Sequence, residues 1–514
     1  MAEVTGLALS VLGGADICVR AGRSLYAKYR SYKDAEVELS ELSLRLKTHW
    51  YKIEAKISLI KDLDHALEEN LKIHFTELFE LLSRKLEDAR VRLQTIELKQ
   101  TRLNRVKFAA LVKRTLEEAI TQLDKWQNQL DWTWFLMARI TNPIVDQQLT
   151  AQRTRTSDSA LAIMRLRETM RPAPQTTEKS IFIPASDLGH EKIVSLPYSP
   201  FLLAKLFRPE RNVLVDIVAS RGGPGVGPEV AKVGIRDIAR VLSQANPMKF
   251  GIMACRGVVE STDSGVGIFK FVFEIPDHLN NPRSLRSLLV DSRGQRRPPY
   301  PLSERFELAK RLARSVMFVH SSNMVHKNIR PDTIVIFQGE ISCLGIPFLL
   351  GFEKIRAVNA FTNLMGDAEW QKNLYRHPNR QGLRHEESYK MQHDIYSFGV
   401  CLLEIGLWSS FIFWNEETGS FEPDPDLHIS ELLAYKDQRK KANGIKEILL
   451  DMATKQLPST MGPIYAEIAV ACLMCLDRGN NGFGNEEEFT DEDGISVGVR
   501  YVEKVLMRLE EISV

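Results

Sequence analysis

From Leu39 onward the apolar residues fall at steps of three and four, so that Leu42, Leu46, Trp50, Ile53, Ile57 and Ile60 share one face of a helix. A second stripe runs through Leu67, Leu71, Phe75, Leu78 and Leu82. A third passes through Phe108, Leu111, Leu116, Ile120, Leu123 and Leu130. The first proline is Pro143, so nothing breaks these segments. Long helices with one apolar stripe each must bury those stripes against one another, which predicts an all-α bundle of about four to six helices over residues 1–150. Ahead of the stripes, residues 4–15 carry no charge, and a short helix over 4–19 is expected. Its glycines and alanines bury little area, which predicts weak anchoring. Asp16 and Arg20 leave it short of the roughly 20 apolar residues that a spanning helix needs.

Beyond Pro143 the helical period weakens. A polar stretch Arg153–Ser159, a short helix Ala160–Met170 and the proline-spaced Arg171–Thr177 read together as a connector over 151–195. Residues 196–514 mix both periods, with a strand at Asn212–Asp216, helices at Val230–Gln244 and Leu302–His320, a strand at Ile334–Ile336 and an apolar helix at Asp394–Glu404. The glycine cluster Gly222–Pro228 follows the first strand, contains Pro224 and Pro228 and reads as a turn before the helix.

Composition narrows the choice little. A net charge of +2 in 514 residues gives no overall pull toward nucleic acid, and no basic run is interleaved with aromatics, so nucleic acid is not an expected partner. Lys99, Arg102, Arg105, Lys107, Lys113 and Arg114 form a local basic run without acids, readable as a solvated face or as a surface for anionic lipid. Six scattered cysteines form no disulfide framework, and Glu3 stands where a secretory leader would carry a base, so a cytoplasmic location is expected. Cys472 and Cys475 have metal-like spacing but lie on an apolar stretch with no second pair, which favours core packing. Asp477–Glu488 has a partial calcium-loop pattern, with glycines at positions 479 and 484 where a ligand and an apolar residue belong; no metal is expected.

The most specific signal is a series of motifs in the second half. Met324-Val325-His326-Lys327-Asn328-Ile329-Arg330-Pro331-Asp332-Thr333, then Leu350-Gly351-Phe352-Glu353, Tyr375–Asn379 and Asp394-Ile395-Tyr396-Ser397-Phe398-Gly399 resemble, in order and spacing, the catalytic loop, metal-binding loop, activation-segment end and central helix of protein kinases. The resemblance implies a multi-domain chain, with the all-α helical bundle followed by an α+β protein-kinase-like bilobal domain, its small lobe over about 196–278 and its large lobe over about 279–514. It also implies that the chemistry is gone. Asn328 stands at the position of the catalytic base, and its amide takes no proton at neutral pH. Thr333 and Gly351 stand at the two metal-ligand positions, and Asp216 near the phosphate-pairing lysine. His326, Phe352, Asp394 and Gly399 match positions that hold the fold, while Asn379 replaces a glutamate that normally pairs with a buried arginine.

In the first third, Gly6-Leu7-Ala8-Leu9 to Gly13-Gly14, Leu44-Arg45-Leu46 with Trp50, and Val106-Lys107-Phe108 to Trp126 and Trp134 resemble the HeLo domain of fungal prion-inhibition and cell-death proteins. That resemblance implies an N-terminal helix able to enter a membrane, with Leu7, Leu9, Val11, Leu12 and Ile17 as its apolar side and Lys99, Arg102, Arg105 and Lys107 as lipid-facing bases. Lipid, protein partners and self-association of the bundle, with recruitment to the plasma membrane, are the interactions this implies. No cofactor is expected. ATP and Mg²⁺ enter only under the alternative of an active kinase in which Asp332 or Glu353 moves into a metal role, and a non-catalytic scaffold is the remaining alternative.

Overall fold

In the computed structural model, residues 11–30, 37–99, 105–140, 142–151, 158–171, 181–189, 193–207, 210–220, 228–263, 266–295, 298–339, 342–352, 356–357, 369–381, 389–477, 483 and 495–512 are described. They form two compact units, one of residues up to Arg165 with 495–499, the other of the remainder.

The first unit is built from α1 (Val11–Arg30), α2 (Val37–Asp62), α3 (Glu69–Leu98), α4 (Arg105–Leu136), α5 (Pro143–Ala151) and the start of α6 (Asp158–Met170). The predicted stripes form its interior: Leu46, Trp50, Ile53, Leu71, Phe75, Leu116 and Leu123 are all buried. Leu111, counted in the third stripe, is instead exposed. The first helix departs from expectation. It continues to Arg30, and Ala15, Cys18, Leu25 and Tyr29 anchor it by burial. Its glycine content here serves close packing, because a Cβ at Gly22 would run into the Trp50 ring. Val11 is buried while Leu12 and Ile17 are 39% and 37% exposed; Leu7, Leu9 and Arg102 lie outside the described residues. Lys99 sits just past α3, whereas Arg105 and Lys107 begin α4, so the basic run spans two helices and is not one helix face. Among the described residues no helix is long and apolar enough to cross a membrane.

The second unit begins with a five-stranded antiparallel sheet in the order β1-β2-β3-β5-β4, formed by β1 (Val194–Ser195), β2 (Leu202–Phe207), β3 (Glu210–Ser220), β4 (Cys255–Asp263) and β5 (Val266–Glu274). Two helices, α7 (Pro228–Ser243) and the short α8 (Pro247–Phe250), lie between β3 and β4. Ala204, Leu206, Val213, Val215, Val259 and Val272, alternating along their strands, make the core of this lobe. Residues of the expected connector complete the sheet: Ile181 and Ile183 bond Val258 in parallel along the outer edge of β4, and the Gly189 N–H donates to the Lys205 carbonyl at 2.7 Å. The glycine cluster at 222–227 lies outside the described residues.

A mainly helical lobe follows. Its frame is β6 (Asn280–Ser284), α9 (Leu285–Asp291), α10 (Leu302–Ser321), β7 (Met324–Val325), β8 (Ile334–Gln338), β9 (Ile346–Leu349), β10 (Arg356–Ala357), α11 (Trp370–Asn373) and α12 (Met391–Leu407). A hairpin of β11 (Ile412–Asn415) and β12 (Ser420–Pro423) leads to α13 (Ser430–Leu433), α14 (Gln438–Lys455), α15 (Leu457–Met461) and α16 (Pro463–Leu473). Of α17 (Ile495–Tyr501), residues 495–499 belong to the first unit; its last residues and α18 (Met507–Glu511) belong to this one. Every residue of α12 from Met391 to Gly406 is buried, as expected of a helix apolar on most of its faces. Gly399 lets α16 approach, since a Cβ there would stand 2.8 Å from Cys472. Cys472 and Cys475 are core residues, their thiols pushed well above the ordinary range by burial.

Candidate functional site

The kinase-like motifs converge on the loop between β7 and β8 and on the turn after β9. Asp394, at the buried start of α12, holds the first of these: its carboxylate accepts from the backbone N–H groups of His326 (2.7 Å) and Lys327 (2.8 Å) and from the Tyr389 hydroxyl (2.9 Å). Lys327 is thereby fixed at φ +65°, a left-handed conformation that costs a non-glycine residue energy and persists only when its surroundings enforce it. Burial raises the Asp394 carboxyl to about 6, against the pull of those three donors. His326 is fully buried with its ring 5.2 Å from Phe352, which in turn lies 5.7 Å from Phe273 of β5. Burial pushes the His326 imidazole down to about 3, so it is neutral at physiological pH.

The four degenerate positions meet in one place. Asn328 Nδ2 donates to the Gly351 carbonyl at 3.3 Å, and the Thr333 hydroxyl lies 2.7 Å from the Asn328 carbonyl and 2.9 Å from that of Arg330. Gly351 adopts φ +91°, where L side chains are strained, and a Cβ on it would stand 2.7 Å from Thr333 Cγ2 and 3.2 Å from Asn328 Nδ2. Asp216, reaching from β3 and 2% exposed, accepts from the Phe352 N–H at 2.9 Å. The sequence places Asp216 only as a carboxylate near a phosphate site. Here it is a buried acceptor that ties the sheet to the turn after β9, a pairing 136 residues apart that no local pattern announces.

These residues do not fit Mg²⁺ or a nucleotide triphosphate. Both metal positions lack a carboxylate, the space a ligand side chain at 351 would enter is filled by Thr333, and Asp216, where a phosphate-pairing lysine would stand, carries no cationic group and is already bonded to the Phe352 N–H. Asp332 is bridged to Arg330 at 3.2 Å; Glu353 lies outside the described residues.

Sequence reading also missed a buried ion pair behind the site. Arg286 of α9 donates to Glu404 of α12 at 2.7 Å and to Ser410 at 2.8 Å, and the Tyr375 hydroxyl donates to the other Glu404 oxygen at 2.8 Å. Burial raises the Glu404 carboxyl and the Arg286 charge opposes the rise. This cluster fastens the Tyr375 end of the activation-like segment to α12 without Asn379, whose N–H donates to the ring of its neighbour His377.

No family model matches the chain. Over 236 residues, 42% of its length, it is 22% identical to a LEAF RUST 10 disease-resistance locus receptor-like protein kinase-like protein of Arabidopsis thaliana. That stretch is kinase-like. The chain covers 32% of that relative, about a third of its length.

Proposed function

We propose that the second unit is a pseudokinase, serving recognition or regulation in place of phosphoryl transfer. The observation that carries this reading is the mutual packing of Asn328, Thr333 and Gly351, with Asp216 bonded to the adjoining Phe352 N–H. A side chain restored at Gly351 would meet Thr333 and Asn328, so at that position the substitution is built into the packing as well as the residue type. Thermal-shift titration of the full chain with ATP, with and without Mg²⁺, should give no stabilisation, and a generic protein substrate should gain no phosphate. Magnesium-dependent stabilisation together with phosphoryl transfer would overturn the reading and favour the active-kinase alternative.

The finer reading couples this pseudokinase to a HeLo-like effector in fungal programmed cell death or heterokaryon incompatibility. It rests on the resemblance of residues 1–150 and on a first helix whose Leu12 and Ile17 face outward. Full-length protein is expected to release dye from anionic vesicles and to arrest growth when expressed. Intact vesicles at every lipid composition, with unimpaired growth, would sink the membrane role.

A further inference from the structure

The hairpin β11–β12 is an aromatic and acidic projection that neither the cleft nor the core explains. Trp414 and Phe421 are directly opposite one another in its register, their rings 5.0 Å apart at 75°, yet they are 43% and 37% exposed. A cross-strand aromatic pair contributes most when covered, and tryptophan is a frequent anchor of protein interfaces. From Ile412 to Glu431 the chain carries Glu416, Glu417, Glu422, Asp424, Asp426 and Glu431 and no lysine or arginine. Glu416 and Glu417 are exposed in the turn that joins the strands. Glu422 is held below the ordinary carboxylate range by hydrogen bonds from Asn415 and Thr418 and stays ionised. The bases that follow, from Lys436 to Lys441, belong to the loop and first turn of α14.

The hairpin already shows how it takes a guanidinium. The Arg293 Cζ lies 3.8 Å from the centroid of Phe413, and its Nε is 3.4 Å from Asp424, so one arginine sits between an aromatic face and a carboxylate. Phe413 and Trp414 point to opposite faces of the strand, so Trp414 and Phe421 present a second, exposed pair of rings on the face away from Arg293 and Glu422, beside the turn that carries Glu416 and Glu417. A planar cation that stacks on a ring and bonds a carboxylate at its edge suits such a surface better than an ammonium does.

We infer that this hairpin docks an arginine-bearing segment of a protein partner, the guanidinium stacking on Trp414 and Phe421 while Glu416 and Glu417 hold it electrostatically. The inference deepens the recognition role proposed for the second unit, but it does not depend on the state of the cleft, so the nucleotide titration and the present test fail independently.

The test uses the full chain and a fluorescein-labelled synthetic peptide of alternating arginine and glycine, with lysine and glutamate versions, followed by anisotropy at several salt concentrations. The arginine peptide should bind more tightly than the lysine peptide, and the glutamate peptide should not bind. Trp414→Ala with Phe421→Ala should weaken binding about tenfold. Glu416→Gln with Glu417→Gln, confined to the exposed turn and leaving the fold intact, should weaken it severalfold and flatten its salt dependence. Circular dichroism verifies that the aromatic variant is folded, and the glutamine variant decides the matter if it is not. Equal binding of the arginine and glutamate peptides, or arginine-peptide affinity unchanged in the glutamine variant, would overturn the inference.

Discussion

Gly351 carries much of the weight of the proposed loss of catalysis. Reading it as an aspartate replaced by glycine identifies a missing ligand. The structure adds that the position now requires glycine, since φ is +91° and Thr333 occupies the space beside it. Gly351→Ala is therefore expected to destabilise the second unit by about 1–3 kcal/mol, measured as a lower denaturant midpoint, through left-handed strain and overpacking. Gly351→Asp should be at least as costly and should bring no magnesium response. Asn328, Thr333 and Gly351 are each legible in the sequence as substitutions at known motif positions. Their contact, and the bond from Asp216, arise from tertiary closure between β3, the loop after β7 and the turn after β9, which no window of sequence contains.

At the level of elements, the 3.6-residue stripes located α2, α3 and α4, and the apolar run at 394–404 located α12, because burial of one face or of all faces leaves a periodic trace. For α1 the expectation of weak anchoring over residues 4–19 meets burial of Val11, Ala15 and Cys18 in its described part, and the helix runs on past that segment to Gly22, where the Trp50 ring approaches closely. Gly22→Ala, which improves helix propensity by about 1 kcal/mol in an isolated helix, is expected here to lower the stability of the bundle by about 1–3 kcal/mol. A rise in the denaturant midpoint would show that α1 is held as loosely as its composition suggests. The Arg286–Glu404–Tyr375 cluster escaped notice for a different reason: its members are ordinary charged and aromatic residues, and only the crossing of α9 and α12 brings them together.

Across the molecule, buried titratable groups set an acid limit. His326 falls from the ordinary 6.5 to about 3, and His393 falls well below 6.5, both through burial. Below pH 6.5 the unfolded chain therefore takes up protons that the folded chain refuses, and stability present at pH 7 drains away as pH falls toward 3. Asp394 acts oppositely, because raising its folded value from 3.8 to about 6 relieves a burial cost as pH drops through that interval. Glu404, raised by burial from 4.5, acts as Asp394 does, but the unfolded histidines take up their protons first, around pH 6.5, so the denaturant midpoint should decline as pH falls from 7 toward 6. His326→Leu should reduce the slope; an unchanged slope would place the acid sensitivity elsewhere.

The β-bridge that Ile181 and Ile183 make to Val258 has a practical consequence for handling the protein. It satisfies the outer edge of β4, whose N–H and C=O groups would otherwise offer a template to another chain. A fragment cut at residue 196 would bare that edge along with Val258, and it should associate into sheet-rich aggregates, visible as fast-sedimenting species and thioflavin fluorescence. A fragment that retains residues from 158 onward should stay dispersed, which makes this short segment a gatekeeper against aggregation as well as a connector.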